Sequence, residues 1–566
     1  MDQQTEHKII TVGLDGATWD LILPWVEEGR LPNFAYIMQN GTWGKLRTTI
    51  QPVSPAAWSS FLTGMNPGKH GVYDFIKREP SGYNHTPVSS RDRRGWPIWD
   101  ILGRHGKRVG IINIPATYPP SQVNGFMISG FPTPEAEEDF TYPHELLAEL
   151  ETQVGVNRIQ PDVFYAEGNE EGFVACQRRC FENTAKITRY LWNHKDWDFL
   201  MTVFTSADSL SHGLWRFIDP QHPAHDPLKA AKYGRHMFEV YDKADQFLGE
   251  VIQSLDDQTT LALMSDHGMG PQHYTLYLNN WLLRNGFMSL KRDPWTRLKH
   301  LAHRMGWGMS LAFQIGKALG LTRLGVEAVF PSKRRQNRSL LLRLADMVFL
   351  SFRDVDWSRT QAYSIGNFAQ IFINLQGREP QGIVQPGQEY HEVRQQIMEG
   401  LREFVDPITG RKIFANHVYS REDLYSGPYL REAPDVVFFD DEFLYTPTRN
   451  FEFGASKLVT LHATGWSGNH KMDGIYAFLG QPIRKGQHID ASIMDITPTI
   501  LYLMNVPLHA EMDGHVLMDV LKPEFARYEP VIEPGPEALP SDSNDGLSEQ
   551  ERELMLERLR GLGYVG

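Results

Sequence analysis

Thr260-Leu261-Ala262-Leu263-Met264-Ser265-Asp266-His267-Gly268-Met269 runs from a short apolar stretch straight into an acid, an imidazole and a glycine. A run this short, bounded by polar turn residues, predicts a strand buried on both faces. Ile9–Leu14, Val109–Ile114, Phe199–Phe204 and Ile475–Leu479 have the same character. Helical patterns separate them. The clearest places Met237, Val240, Tyr241, Ala244, Phe247, Leu248, Val251 and Leu255 on one stripe. Strands alternating with helices predict an α/β fold, with a central, mostly parallel sheet flanked by helices on both faces. Asp242 and Asp245 fall off the stripe and read as solvated. In the later helical pattern, Ile493–Leu503, Pro498 reads as the start of the helix.

Several strands end in chemistry. Leu14 leads into Asp15-Gly16, Phe204 into Thr205-Ser206-Ala207-Asp208, and Met264 into Ser265-Asp266-His267. Ligands of open α/β sheets sit beyond the carboxyl ends of the strands, so these termini are expected to converge. Asp208 and His212 have the spacing that aims both side chains at one ion from a single helical turn. His470 lies in the glycine-rich stretch Gly465-Trp466-Ser467-Gly468-Asn469-His470. Hard carboxylates with neutral imidazoles suit zinc or manganese. Each cluster alone would read as a turn or a cap. Their joint occurrence after strands predicts a metal site built from Asp15, Asp208, His212, Asp266, His267 and His470.

Ser54, in Gln51-Pro52-Val53-Ser54-Pro55-Ala56-Ala57-Trp58, is the candidate nucleophile, although this segment alone reads as an ordinary serine N-cap. Pro55 suits the first turn of a helix, which makes Ser54 its expected N-cap. A hydroxyl there lies beside backbone N–H groups that favour an incoming phosphate. Ser59, Ser60 and Thr63 lie deeper in the helix and read as packing residues.

These blocks, with Val12-Gly13-Leu14-Asp15-Gly16 and Asn66-Pro67-Gly68-Lys69-His70-Gly71, resemble the alkaline phosphatase superfamily, in its type I phosphodiesterase and nucleotide pyrophosphatase branch. The resemblance covers most of residues 8–290 and 430–522 and implies an alkaline-phosphatase-like core there; residues 291–429, which no motif covers, read as an inserted cap or lid. It implies two divalent cations, zinc first and manganese second. One would be held by Asp208, His212 and His470, the other by Asp15, Asp266 and His267 together with the Ser54 hydroxyl as a further ligand. Ser54 would attack phosphorus, and water would then hydrolyse phospho-Ser54. A phosphodiesterase is the expected activity. A phosphomonoesterase or phosphomutase-like transferase is the alternative within enzymes, and a non-catalytic metal-dependent binder of phosphorylated ligands the alternative outside them. The family pattern has Asn where this chain has Ala57, which bears on phosphate contacts. Sulfatases carry an Arg where this chain has Trp58, which disfavours a sulfatase.

The 566 residues carry a net charge of −13, which argues against a nucleic-acid polymer as partner. Residues 291–338 reverse that sign: eleven Lys or Arg face only Asp293 and Glu327, a net charge of +9. The segment has a helical apolar pattern, and strand-like Ala369–Leu375 and helix-like Val393–Phe404 follow it. It reads either as solvated basic helices or as a wall that attracts an anionic substrate or a membrane surface. A small phosphate ester or lipid-like molecule is the expected substrate. Cys176 and Cys180, on one helix face, read as buried thiols. The polar N-terminus lacks signal-peptide character and no stretch reads as a membrane span, so a cytoplasmic protein is expected. Pro530–Gly546 reads as a linker within the tail 523–566, and Ser548 with Glu551 as the capping box of a final helix that docks back or mediates assembly. A homo-oligomer is one reading of that end.

Overall fold

The computed structural model describes residues 7–79, 82–83, 85–134, 139–156, 158–308, 347–366, 368–448, 453–462, 465–535 and 547–561. The apolar pattern expected beyond Met309, the basic positions 317–338 and most of the expected linker lie outside the described residues.

The main sheet uses β1 (Lys8–Leu14), β2 (Thr42–Arg47), β3 (Val109–Ile114), β4 (Gly125–Ser129), β5 (Thr141–Tyr142), β6 (Phe199–Phe204), β7 (Thr259–Met264), β8 (Asp473–Leu479) and β9 (Gln487–His488). Their spatial order is β9-β2-β8-β7-β1-β6-β3-β4-β5, with Ala491–Ser492 also pairing with β2. β7, β1, β6, β3 and β4 are mutually parallel; β8 runs against both of its neighbours, and β5 against β4. Alternation along β1 fills two cores: Ile10, Val12 and Leu14 enter one, and Ile9 the other.

The helices used below are α1 (Ser54–Thr63), α2 (Glu170–His194), α3 (Ser206–Leu214), α4 (Arg235–Ser254), α5 (Pro294–Arg304), α6 (Ile493–Leu503) and α7 (Glu549–Gly561). α4 buries the expected stripe from Met237 to Val251. It also buries Asp245, contrary to the solvated reading. The Asp245 carboxylate accepts from Asn33 N and Phe34 N, both at 2.9 Å, and so caps the helix Pro32–Asn40. α6 begins at a capping box of Ser492 and Asp495 rather than at Pro498, which sits inside the helix. The cap sets the start because it satisfies free amides; a proline further in only deletes one hydrogen bond. Cys176 and Cys180 are free, buried thiols on α2.

A third hydrophobic cluster runs from Leu276 to Val459, outside the main sheet. Its frame is a four-stranded sheet, Ala362–Tyr363, Gln370–Ile373, Val436–Phe438 and Val418–Ser420, packed with the helix Gln388–Arg402. α7 docks back on the core. Glu551 accepts from the Tyr118 hydroxyl at 2.9 Å, Arg558 donates to Pro161 O at 3.1 Å, and Leu559 shares a cluster with Val53 and Ala56.

Candidate metal centre

Strand register builds the site. Leu14 pairs with Phe204, and Gly13 with Met264, so the carboxyl ends of β7, β1 and β6 are flush. Asp15, Asp208 and the pair Asp266-His267 therefore leave the sheet on one rim. Asp208 and His212 occupy one face of α3, with His212 Nε2 3.2 Å from Asp208 Oδ1. His470 arrives on a separate ladder: Gly268–Pro271 pairs antiparallel with Gly468–Lys471, opposing Met269 to His470. Its ring stacks on His267 with centroids 3.6 Å apart. Gly16 has φ +68°, and a Cβ there would meet Asp208 Cβ at 2.9 Å, so this turn requires glycine.

Ser54 is the first residue of α1, and Val53, in extended conformation, is the N-cap; the expected cap position is off by one. Pro55 then occupies a first-turn position where its missing N–H leaves no bond unmade. Ser54 Oγ lies 3.2 Å from His267 Nε2. Ser60 and Thr63 do pack, Ser60 Oγ against His70 Nε2 at 2.8 Å and Thr63 Oγ1 against Ser59 O. The seven expected residues thus meet in one place, and none is more than 7% exposed.

The imidazoles are oriented alike. His212 Nδ1 lies 2.8 Å from Gly468 O, His470 Nδ1 2.6 Å from Pro52 O, and His267 Nδ1 3.0 Å from Gly268 O. A carbonyl only accepts, so each Nδ1 carries a proton, and in its neutral form each ring turns an Nε2 lone pair into the site. Burial lowers the pKa of His267 and His470, which favours these neutral rings. Asp15 Oδ1, Asp208 Oδ1 and Asp266 Oδ2 are buried without a hydrogen-bond donor among the described residues. The Nε2 atoms nearest them lie at 3.2 to 3.7 Å. Lone pairs of nitrogen and oxygen packed this way repel unless a cation lies among them. The carboxylates repel each other as well. Burial, then the charges of Asp266 and Asp208, push Asp15 well above the usual carboxylate range. These residues fit divalent cations.

Ligand atoms of Asp208, His212 and His470 lie within 4.8 Å of one another, and so do those of Asp15, Asp208 and His267. Asp208 is common to both groups. Asp266 stands beside the second, with Oδ2 3.3 Å from His267 Nε2 and Oδ1 accepting from Gly16 N at 3.2 Å.

Sequence reading missed three supports. Trp58 Nε1 donates to Asp15 Oδ2 at 3.3 Å, Trp466 stacks on His212 with centroids 4.0 Å apart, and the Phe368 ring lies 5.6 Å from that of His470. Trp58 stood in the quoted block, yet only the fold turns its indole toward Asp15. Phe368 comes from the region expected to form the cap. Ala57, weighed above as a lost phosphate contact, is fully buried in the core cluster with Trp58 and Phe61.

A mostly parallel sheet whose strand ends gather three carboxylates, three imidazoles and a helix-terminal serine defines a metal-dependent phosphohydrolase. The profile of the type I phosphodiesterase/nucleotide pyrophosphatase family matches residues 9–452. The chain belongs to that family, and is a metal-dependent phosphohydrolase of phosphodiesterase type. Among solved structures it is similar to murine ectonucleotide pyrophosphatase/phosphodiesterase 5, in an inactive form in complex with AMP (14% identity, TM-score 0.49, 91% of this chain and 100% of that one). The human counterpart gives 16% identity, a TM-score of 0.47 and the same coverage. No curated protein matches the chain.

Proposed function

We propose that this chain hydrolyses phosphodiesters through a covalent phospho-Ser54, with two divalent cations, zinc first and manganese second, held by Asp15, Asp208, His212, Asp266, His267 and His470. The observation that carries the reading is the convergence of three Nε2 lone pairs and three carboxylates on one side of the Ser54 hydroxyl. Bound cations would supply the Lewis acidity that lowers the pKa of a serine hydroxyl and neutralises phosphate charge. Ser54 Oγ forms the new bond to phosphorus as the bond to the leaving oxygen breaks. Water then displaces Ser54 Oγ and releases the phosphate product. The first amides of α1 have no partner within the helix and favour the anion as it arrives. Val53, Ala56, Phe131, Phe368 and Trp466 form an apolar cluster beside this helix start, which limits bulk water and suits an organic ester group.

Within the inserted region 291–429, the stretch that carries Phe368 is proposed to select this group, since its ring lies 5.6 Å from that of His470. The test is bis-p-nitrophenyl phosphate hydrolysis with added zinc or manganese, in wild type and Ser54→Ala, with mass spectrometry of acid-quenched wild type. A phosphate on Ser54, and loss of turnover in the variant with full metal content, is the expected result. Turnover that survives Ser54→Ala would rule the covalent route out.

A further inference from the structure

α5 is inside out. Its buried residues are Thr296, Lys299 and His303, all polar. Lys299 Nζ lies 3.0 Å from both oxygens of the buried Asp354, Thr296 Oγ1 donates to the same carboxylate at 3.4 Å, and His303 Nε2 lies 3.3 Å from Asn280 Oδ1. The apolar residues are outside: Trp295 is 56% exposed, Leu298 53%, Leu301 56% and Met305 72%. Steps of three and four residues set these four on one stripe. Trp307 follows at 61% exposure, and Met347 and Val348, at 58% and 60%, lie alongside through a bond from Trp295 Nε1 to Met347 O at 3.0 Å.

A helix that buries its polar side and presents an apolar one is shaped for a second, apolar phase. Its charges say which. Arg297 and Arg304, seven apart, form an exposed line beside Leu301, and exposed Lys291 and Arg292 precede the helix. The acid among them, Asp293, is used as the N-cap, accepting from Thr296 N. This is a basic, aromatic and aliphatic face on a chain of net charge −13, within a segment of +9. Indole rings favour the boundary between headgroups and acyl chains, and Lys and Arg favour anionic headgroups. Among the described residues no helix is long and apolar enough to cross a membrane, so insertion would be shallow and parallel to the surface.

We propose that α5 docks this protein on an anionic lipid surface, with Trp295, Leu298, Leu301, Met305 and Trp307 in the interface and Arg297 and Arg304 on the headgroups. The proposal is independent of the phosphodiesterase reading. Its test uses the full chain in sedimentation with phosphatidylcholine vesicles, with and without about one-third phosphatidylglycerol. Co-sedimentation is expected with the anionic vesicles alone, weakened by high salt. L298S/L301S/M305S and R297E/R304E should each cut partitioning by about ten-fold or more, with hydrolysis of a soluble ester unchanged. Equal binding of wild type and both variants, or no binding by wild type, overturns the proposal. A bimane on L298C is selective because Cys176 and Cys180 are buried. It should report water in buffer and shift to the blue only with anionic vesicles. A blue-shifted signal in buffer that vesicles do not change means that the chain itself, or a second copy, already covers the face, and overturns it as well.

Discussion

The Nε2 atoms of His212 and His470 face each other at 2.9 Å, while each Nδ1 is held by a backbone carbonyl. Two neutral imidazoles in this tautomer both present an acceptor at Nε2, so they cannot hydrogen-bond to each other there, and a cation between them would satisfy both. His470→Ala should therefore cost more metal affinity than the ~10–100-fold lost on removing a group outside the ligand set. Elemental analysis and competition with a chelator measure this directly. Wild-type metal content in the variant would show that the facing nitrogens are a packing contact. Chelation should also lower the thermal midpoint of wild type, because a ligand of the folded state alone adds to its stability.

Trp58 tests positioning rather than ligation. Its indole N–H donates to Asp15 Oδ2, and its ring packs at 6.0 Å from that of Phe61. Trp58→Phe keeps most of the ring and deletes the donor. Metal affinity or activity should fall by about 10–100-fold with the fold intact by circular dichroism. Affinity and activity within about two-fold of wild type would mean that the other contacts hold Asp15 without help.

The strands and the ligand clusters were legible because both are local: an apolar run marks a strand, and the polar residues after it mark its rim. Convergence was not local. It depends on the pairings of Leu14 with Phe204, Gly13 with Met264 and Met269 with His470, which join residues far apart in sequence. Periodicity also finds a stripe without saying which side faces the protein. In α4 the apolar stripe is buried, and Asp245 beyond it is buried too, because the helix Pro32–Asn40 needs an acceptor for its first amides. In α5 the stripe is exposed, because Asp354 holds Lys299 inward. Neither outcome has a signal within the helix itself.

The third hydrophobic cluster offers a test in which pH carries the information. Asp435 is fully buried and accepts from both terminal nitrogens of Arg378, at 2.8 and 2.5 Å, from the Tyr390 hydroxyl at 2.7 Å and from Ile373 N at 2.7 Å. Burial alone would raise its pKa, but Arg378, Arg421 and these hydrogen bonds hold it below the ordinary carboxylate value. A carboxylate whose folded pKa is depressed adds stability above its unfolded pKa, and loses it as pH falls through the folded one. Asp435→Asn removes that charge and leaves the buried Arg378 facing an amide. Glu379 Oε1, 2.8 Å from Arg378 Nε, compensates in part. The loss should therefore fall near about 3 kcal/mol, the low end for breaking a buried ion pair. Urea denaturation across pH should show the gap between wild type and variant constant above about pH 5 and narrowing below it. A gap that stays constant into strong acid would mean that the variant loses packing rather than charge. Turnover at neutral pH should be affected little, because this network lies by the third hydrophobic cluster rather than on the strand rim that carries Asp15, Asp208 and His267.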